Sequence, residues 1–249
     1  MGIYHFNFSY VLLRKTHYRN LLLVCLFFLF FTPMAFAHRE DYLDETLVFV
    51  TLERGEVEPE YWFDAGRDDS QRFMRHHLAL EYGITDHWMI DGRATGFHDE
   101  EHSGLGFDSA CLETRYRFFD EGTLPIDIAV SGEINAARDE QGHDRFGIEP
   151  RLILSRDFQK LNLTLNLAEE FPFSGHSPSF NVRGGWRYDA TELFRFGAEF
   201  RYDTGEHSVA AIPQIWFAFP HDITFKAGYS YDFGATHERF LRLTLEVGF

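Results

Sequence analysis

The side chains able to do chemistry in this chain are charges that recur at every second position. Asp91 stands with Arg93, Glu113 with Arg115 and Arg117, Glu149 with Arg151, and Glu199 with Arg195 and Arg201. Glu81, Glu133, Arg183, Arg187, Lys226, Asp232, Arg242 and Glu246 extend the series, together with Asp127, Asp189 and Asp203. On an extended chain, residues two apart share a face. Isolated buried charges are costly, so such a face must pair its charges or wet them. Two chemistries follow. The charges fill an interior as a salt-bridge network, or they line a polar pore and choose its solute. Their signs are mixed along the sequence, which argues against a strongly anion-selective track.

Histidine forms a second set. His98, His102, His143, His176, His207 and His237 fall in polar stretches between the alternating segments, often beside Asp or Glu. Converging imidazoles and carboxylates could hold a divalent metal such as Zn, Cu or Ni. No established ligand spacing is present, so solvated loops are the competing reading and no resident cofactor is assigned. Ser174 and His176 stand close together, but a nucleophile needs a base that a third group orients. No such acid is identifiable, so no catalytic residue is assigned. Cys111 reads as a small filler on the polar face.

The elements that carry these groups are extended segments with apolar residues on the opposite face. They run over 57–65, 72–84, 88–97, 107–119, 126–136, 145–156, 161–170, 179–189, 194–203, 209–219, 223–233 and 239–249. In the last, Leu241, Leu243, Leu245, Val247 and Phe249 oppose Arg242, Thr244, Glu246 and Gly248. Each segment is near the ~9–11 residues with which a tilted strand crosses a bilayer. Short connections (85–87, 120–125, 159–160, 190–193, 220–222) alternate with longer or more polar ones (66–71, 98–106, 137–144, 171–178, 204–208, 234–238), as in membrane β-barrels. Aromatics make up 17% of the chain, with 28 Phe, which suits a lipid-facing surface. Tyr61, Phe63, Trp88, Tyr116, Phe118, Trp186, Tyr188, Phe217 and Tyr231 suit interfacial girdles. The expected fold is an all-β, antiparallel up-and-down barrel of about twelve strands over 57–249. A soluble β-sandwich has the same alternation with its faces reversed.

Residues 1–37 read as a signal peptide: Arg14, Lys15 and Arg19, then an apolar run, then Ala35-Phe36-Ala37. Cys25 lies inside the apolar run, not at a lipobox. Residues 38–56 contain a β-prone run, 46–52, that is apolar on both faces; an extra strand, a lumenal plug and a periplasmic tail all fit. The net charge of −16 excludes a nucleic-acid binder.

The closing strand, with one apolar face, one charged face and a terminal Phe249, resembles that of Gram-negative outer-membrane β-barrels. The resemblance implies outer-membrane location, contact with lipid, and delivery by the barrel assembly machinery, which reads the last strand. Leu80-Glu-Tyr-Gly-Ile-Thr-Asp-His-Trp88 is similar to strand–turn–strand units of uncharacterised exported barrel families, some linked with small-solute uptake. The implied function is a narrow channel or uptake barrel for small polar solutes. The alternatives are a plugged barrel that binds metal at its outer loops, and a lipid hydrolase like the twelve-stranded barrel phospholipases.

Overall fold

The computed structural model describes residues 41–44, 46–69, 71–99, 104–138, 144–173, 177–205, 207–234 and 237–249, all within one compact unit, Ala35–Phe249. The leader and the segment up to residue 40 lie outside the described residues.

The strands are β1 (Val57–Arg67), β2 (Arg72–Thr85), β3 (Trp88–Asp99), β4 (Gly106–Arg117), β5 (Asp127–Arg138) and β6 (Asp144–Phe158). They continue as β7 (Leu161–Pro172), β8 (Ser179–Asp189), β9 (Phe194–Asp203), β10 (Ser208–Phe219), β11 (Ile223–Asp232) and β12 (Arg239–Val247). Each pairs antiparallel with its sequence neighbours, and β12 closes onto β1. Val57 and Phe249 exchange backbone hydrogen bonds of 3.2 and 3.0 Å, so both ends of the barrel wall meet at one rim, here called the terminal rim. Closure leaves no sheet edge unpaired, the condition for backbone in hydrocarbon.

The faces sort as the alternation requires. Leu78, Leu80, Leu112 and Ile134 are each more than half exposed on the outside. Asp64, Arg187, Asp232 and Lys226 are no more than 2% exposed on the inside. A sandwich would bury the first group and wet the second. The apolar skin runs round the whole barrel, far beyond the few hundred Å² a soluble monomer tolerates. Aromatic pairs cluster towards strand ends, as in Tyr116–Phe118 and Phe194–Phe217 at the terminal rim and Tyr231–Phe233 at the other. Tyr61 and Phe63 are exceptions to the girdle expectation: both sit mid-strand beside His76, whose Nδ1 meets the Tyr61 hydroxyl at 2.7 Å.

Twelve strands ~4.8 Å apart, tilted by ~40°, enclose a backbone radius of about 12 Å. Inward side chains fill an eight-strand barrel but not this one. Here the N-terminal segment takes the remaining space. Residues 41–44 and 46–53 run through the bore without joining the wall as a strand, and Tyr42, Leu43, Leu47, Val48, Phe49 and Leu52 are all buried. The segment leaves the bore past Gly83, where a Cβ would stand 1.8 Å from the Glu53 carbonyl oxygen. Only glycine lets the two backbones approach that closely.

Candidate functional site

The bore is the candidate site, and the wall grips its internal segment chiefly by side chain to backbone. Asn166 accepts from Leu47 N at 2.7 Å and donates to Leu47 O at 2.9 Å, imitating one rung of a β-ladder. Glu199 accepts from Asp44 N at 2.7 Å and Thr46 N at 3.2 Å. Gln214 accepts from Leu43 N at 2.9 Å, Ser155 from Phe49 N at 3.2 Å, and Lys226 donates to Asp41 O at 2.7 Å. Arg115 does most. It clasps the Asp41 carboxylate at 3.0 and 2.6 Å and donates to the carbonyls of Val48 and Val50 at 3.3 and 3.2 Å. These bonds satisfy backbone groups that a non-strand segment would otherwise bury unpaired.

Apolar contacts complete the seat. Leu47 and Phe49 pack on Ala129 and Ile153, Leu43 packs on Ala210 and Ile212, and Tyr42 and Val48 pack on Trp216. The Tyr42 hydroxyl donates to Asn162 Oδ1 at 2.7 Å. Gly185 makes room for the ring: a Cβ there would stand 2.6 Å from Tyr42 Cε1. Gly185→Leu is therefore expected to unseat Tyr42 and speed proteolytic clipping of residues 41–53 severalfold, with the barrel still resisting SDS unfolding. Unchanged clipping would show that the ring is not seated there.

The charged residues expected inside occupy graded depths. Glu113, Arg115, Glu149, Arg151, Arg187, Glu199, Lys226, Asp232, Arg242 and Glu246 are buried. Glu81, Asp91, Arg93, Glu133, Arg183, Arg195 and Arg201 are half-buried. Arg117 lies at the terminal rim, its Nε donating to the Asp86 carbonyl at 2.8 Å. Cys111 accepts from Arg93 Nη2 at 3.2 Å. Asp64 is fully buried and takes two hydrogen bonds of 2.7 Å from Arg242 and one of 3.1 Å from His77.

Register sorts charges that look mixed in sequence. Glu58 stands opposite Glu81, Glu81 opposite Asp91, Asp91 opposite Glu113, Glu113 opposite Glu133, and Glu133 opposite Glu149. Six adjacent strands thus carry one acidic row. Because barrel strands tilt, a row that follows the hydrogen bonds climbs along the axis. Directly opposed like charges repel. Arginines displaced along the strands relieve the strain: Arg93 lies 3.4 Å from Glu133, Arg115 lies 3.6 Å from Glu113, and Arg151 lies 2.5 Å from Glu149. Between wall and segment remains a cavity of ≈ 20 Å³, lined by Glu60, Glu81, Asp91, Glu113 and Glu246 among others. That is room for about one water molecule.

The histidines are less informative. His98 Nδ1 lies 3.5 Å from the Gly104 carbonyl, and His207 and His237 occupy left-handed backbone in two different connections. His102, His143 and His176, and with them Ser174, lie outside the described residues. Among the described residues the ligand atoms that converge are carboxylates at the terminal rim: Glu58, Glu60 and Glu246, within 4.8 Å of one another.

No family model and no curated protein matches the chain. Solved structures do. The barrel superposes on the KdgM porin with a TM-score of 0.60 at 9% identity, covering 77% of this chain and 99% of that one. The COG4313 outer membrane channel from Pseudomonas putida F1 gives 0.62 at 10% identity, covering 85% and 100%. The NanC porin gives 0.55 at 13% identity, covering 75% and 98%. The fold is that of the outer-membrane β-barrels.

Proposed function

We propose that this protein is a narrow outer-membrane channel for small polar solutes, cation-preferring, with a bore constricted by its own residues 41–53. The observation that carries the reading is the acidic row beside an internal segment, with a cavity of ≈ 20 Å³ between them. An apolar exterior, a charged interior and a fold shared with channel proteins support it. KdgM has been solved with oligogalacturonate, a polyanion; the row of carboxylates here favours solutes of the opposite sign.

Reconstitution in planar bilayers tests the proposal. Wild type is expected to give small, brief events whose reversal potential in a KCl gradient points to K⁺. Replacing Glu81 and Glu113 by Gln should move that potential towards zero. Silence in every salt, from wild type and from a form lacking residues 41–53, would refute the channel. Silence from wild type alone would favour the second reading, a plugged binding barrel, which the depth of the segment's contacts supports.

The proposal extends to assembly. Phe249 ends the closing strand at the rim where β12 meets β1, so Phe249→Ala should lower the amount of heat-modifiable barrel in outer membranes severalfold. Equal amounts would remove the role given to this residue in recognition by the assembly machinery. We assign the protein no catalytic group.

A further inference from the structure

At the rim opposite the terminal one, the apolar skin of the barrel ends in a row of arginines. Arg239 on β12 stands opposite Arg67 on β1, and Arg67 stands opposite Arg72 on β2. Alternation puts all three on the outward face, in step with Leu241, Ala65 and Met74. Paired strands are ~4.8 Å apart, so the row spans roughly 10 Å. Opposed like charges on paired strands repel. The outward positions of β11, β12, β1 and β2 carry no Asp or Glu to offset them.

The three differ in their surroundings. Arg67 and Arg72 are exposed. Arg72 has a partner within the protein; Arg67, among the described residues, has none. In the connection beyond, Asp68 accepts from Gln71 N at 2.8 Å and Asp69 is exposed. Arg239 is held in place. Its Cζ lies 4.4 Å from the centre of the Tyr231 ring, and its Nη2 donates to the Tyr231 hydroxyl at 3.0 Å. Its Nε is buried and, among the described residues, has no acceptor. A fixed guanidinium with a donor to spare calls for an acceptor.

Position indicates what supplies it. The two-residue turns, 86–87 and 159–160, lie at the terminal rim. Short turns mark the periplasmic end of such barrels. The arginine row therefore lies at the outer leaflet, where hydrocarbon gives way to headgroups. Lipids of that leaflet carry phosphates on a sugar headgroup with acyl chains beneath. Arginine matches phosphate with two parallel N–H···O bonds. One outward row nearer the terminal rim, Tyr229, Leu241, Ala65 and Met74 stand side by side as an apolar surface for the chains.

We propose that Arg239, Arg67 and Arg72 form a docking site for a phosphorylated glycolipid of the outer leaflet, across the seam where β12 meets β1. The site does not depend on whether the bore conducts. It differs from arginines that only snorkel to the membrane interface, because those would not discriminate one headgroup from another.

Native mass spectrometry of the detergent-purified full barrel tests this, with bisphosphorylated lipid A as the probe. One lipid per barrel is expected to stay bound. Arg67→Glu should weaken binding at least tenfold, and Arg67→Ala/Arg239→Ala should abolish it. Lys160→Ala, at an exposed cation of the terminal rim, should bind as wild type. Fully dephosphorylated lipid A should bind wild type at least tenfold more weakly, and millimolar inorganic phosphate should not displace the intact lipid. Equal affinity in wild type and Arg67→Glu would overturn the proposal; that residue is exposed, so folding is not at stake. Equal binding of the two lipids would reduce the row to snorkelling arginines, and displacement by free phosphate would make it a phosphate site with no part for the lipid. Either result would also overturn it.

Discussion

Deleting residues 41–53 from the mature chain will raise single-channel conductance on the order of tenfold, since conductance follows open cross-section and the freed core is about 10 Å wide against a water-sized gap. The deletion removes the segment and all its contacts at once. Arg115→Ala asks the sharper question. That guanidinium makes four hydrogen bonds to the segment, two to Asp41 and one each to Val48 and Val50. Its loss leaves the Asp41 carboxylate without that partner and two carbonyls short of a donor. The segment should then leave the bore part of the time. Recordings should show long openings at the deletion level, interrupted by returns to the wild-type level. Asp41→Asn should give a milder form, because it keeps the backbone contacts. A deletion mutant with wild-type conductance would mean that ions bypass the segment, and the constriction would have to be sought elsewhere.

The barrel itself is legible in the sequence because its cause is local. Leu161, Leu163 and Leu165 against Asn162, Thr164 and Asn166 declare which face meets lipid with no knowledge of any partner strand. The internal segment is not legible in this way. Its run at 46–52 is apolar on both faces because both faces are enclosed, and several placements produce that pattern. A signal did exist on the wall. Ile153 interrupts an inward face that carries Glu149, Arg151 and Ser155, and Ile212 and Trp216 flank Gln214 on the inward face of β10; each packs in the clusters around the segment. Apolar residues interrupting a polar lumen mark where another piece of chain will rest. The acidic row was hidden for a different reason. Asp91 and Glu113 each have an arginine two residues on, Arg93 and Arg115, and Glu81 and Glu133 stand in uncharged surroundings, so no acidic row is visible along the chain. Only register brings them into line, and register depends on turn lengths and on the bulges at Gly83/Thr85 and Thr95/Gly96. The Glu60–Glu246 pair is more remote still: it exists because the two ends of the sheet meet.

That same meeting of ends fixes where the barrel is most vulnerable. Arg242→Ala is expected to cost about 3–5 kcal/mol, the penalty for stranding a buried ion-pair partner. Asp64, the partner, is 0% exposed and among the described residues would keep only His77 as a side-chain donor in place of the two-pronged guanidinium. Arg242 also reaches Leu43 O at 3.1 Å and Asp44 at 3.4 Å, so its removal weakens seam and internal segment together. Urea unfolding of the micelle-bound barrel, followed by tryptophan fluorescence, will show a lower midpoint with little change in slope. The decisive comparison is the double variant Asp64→Leu/Arg242→Met. Replacing both members of a buried pair by apolar groups of similar size is often near-neutral, so the double variant should recover most of the loss caused by Arg242→Ala. If it is instead as unstable as the single variant, the pair is not the source of the loss. The contacts of Arg242 with the internal segment then hold the seam shut, and the segment is a structural part of the closed barrel as well as an obstruction within it.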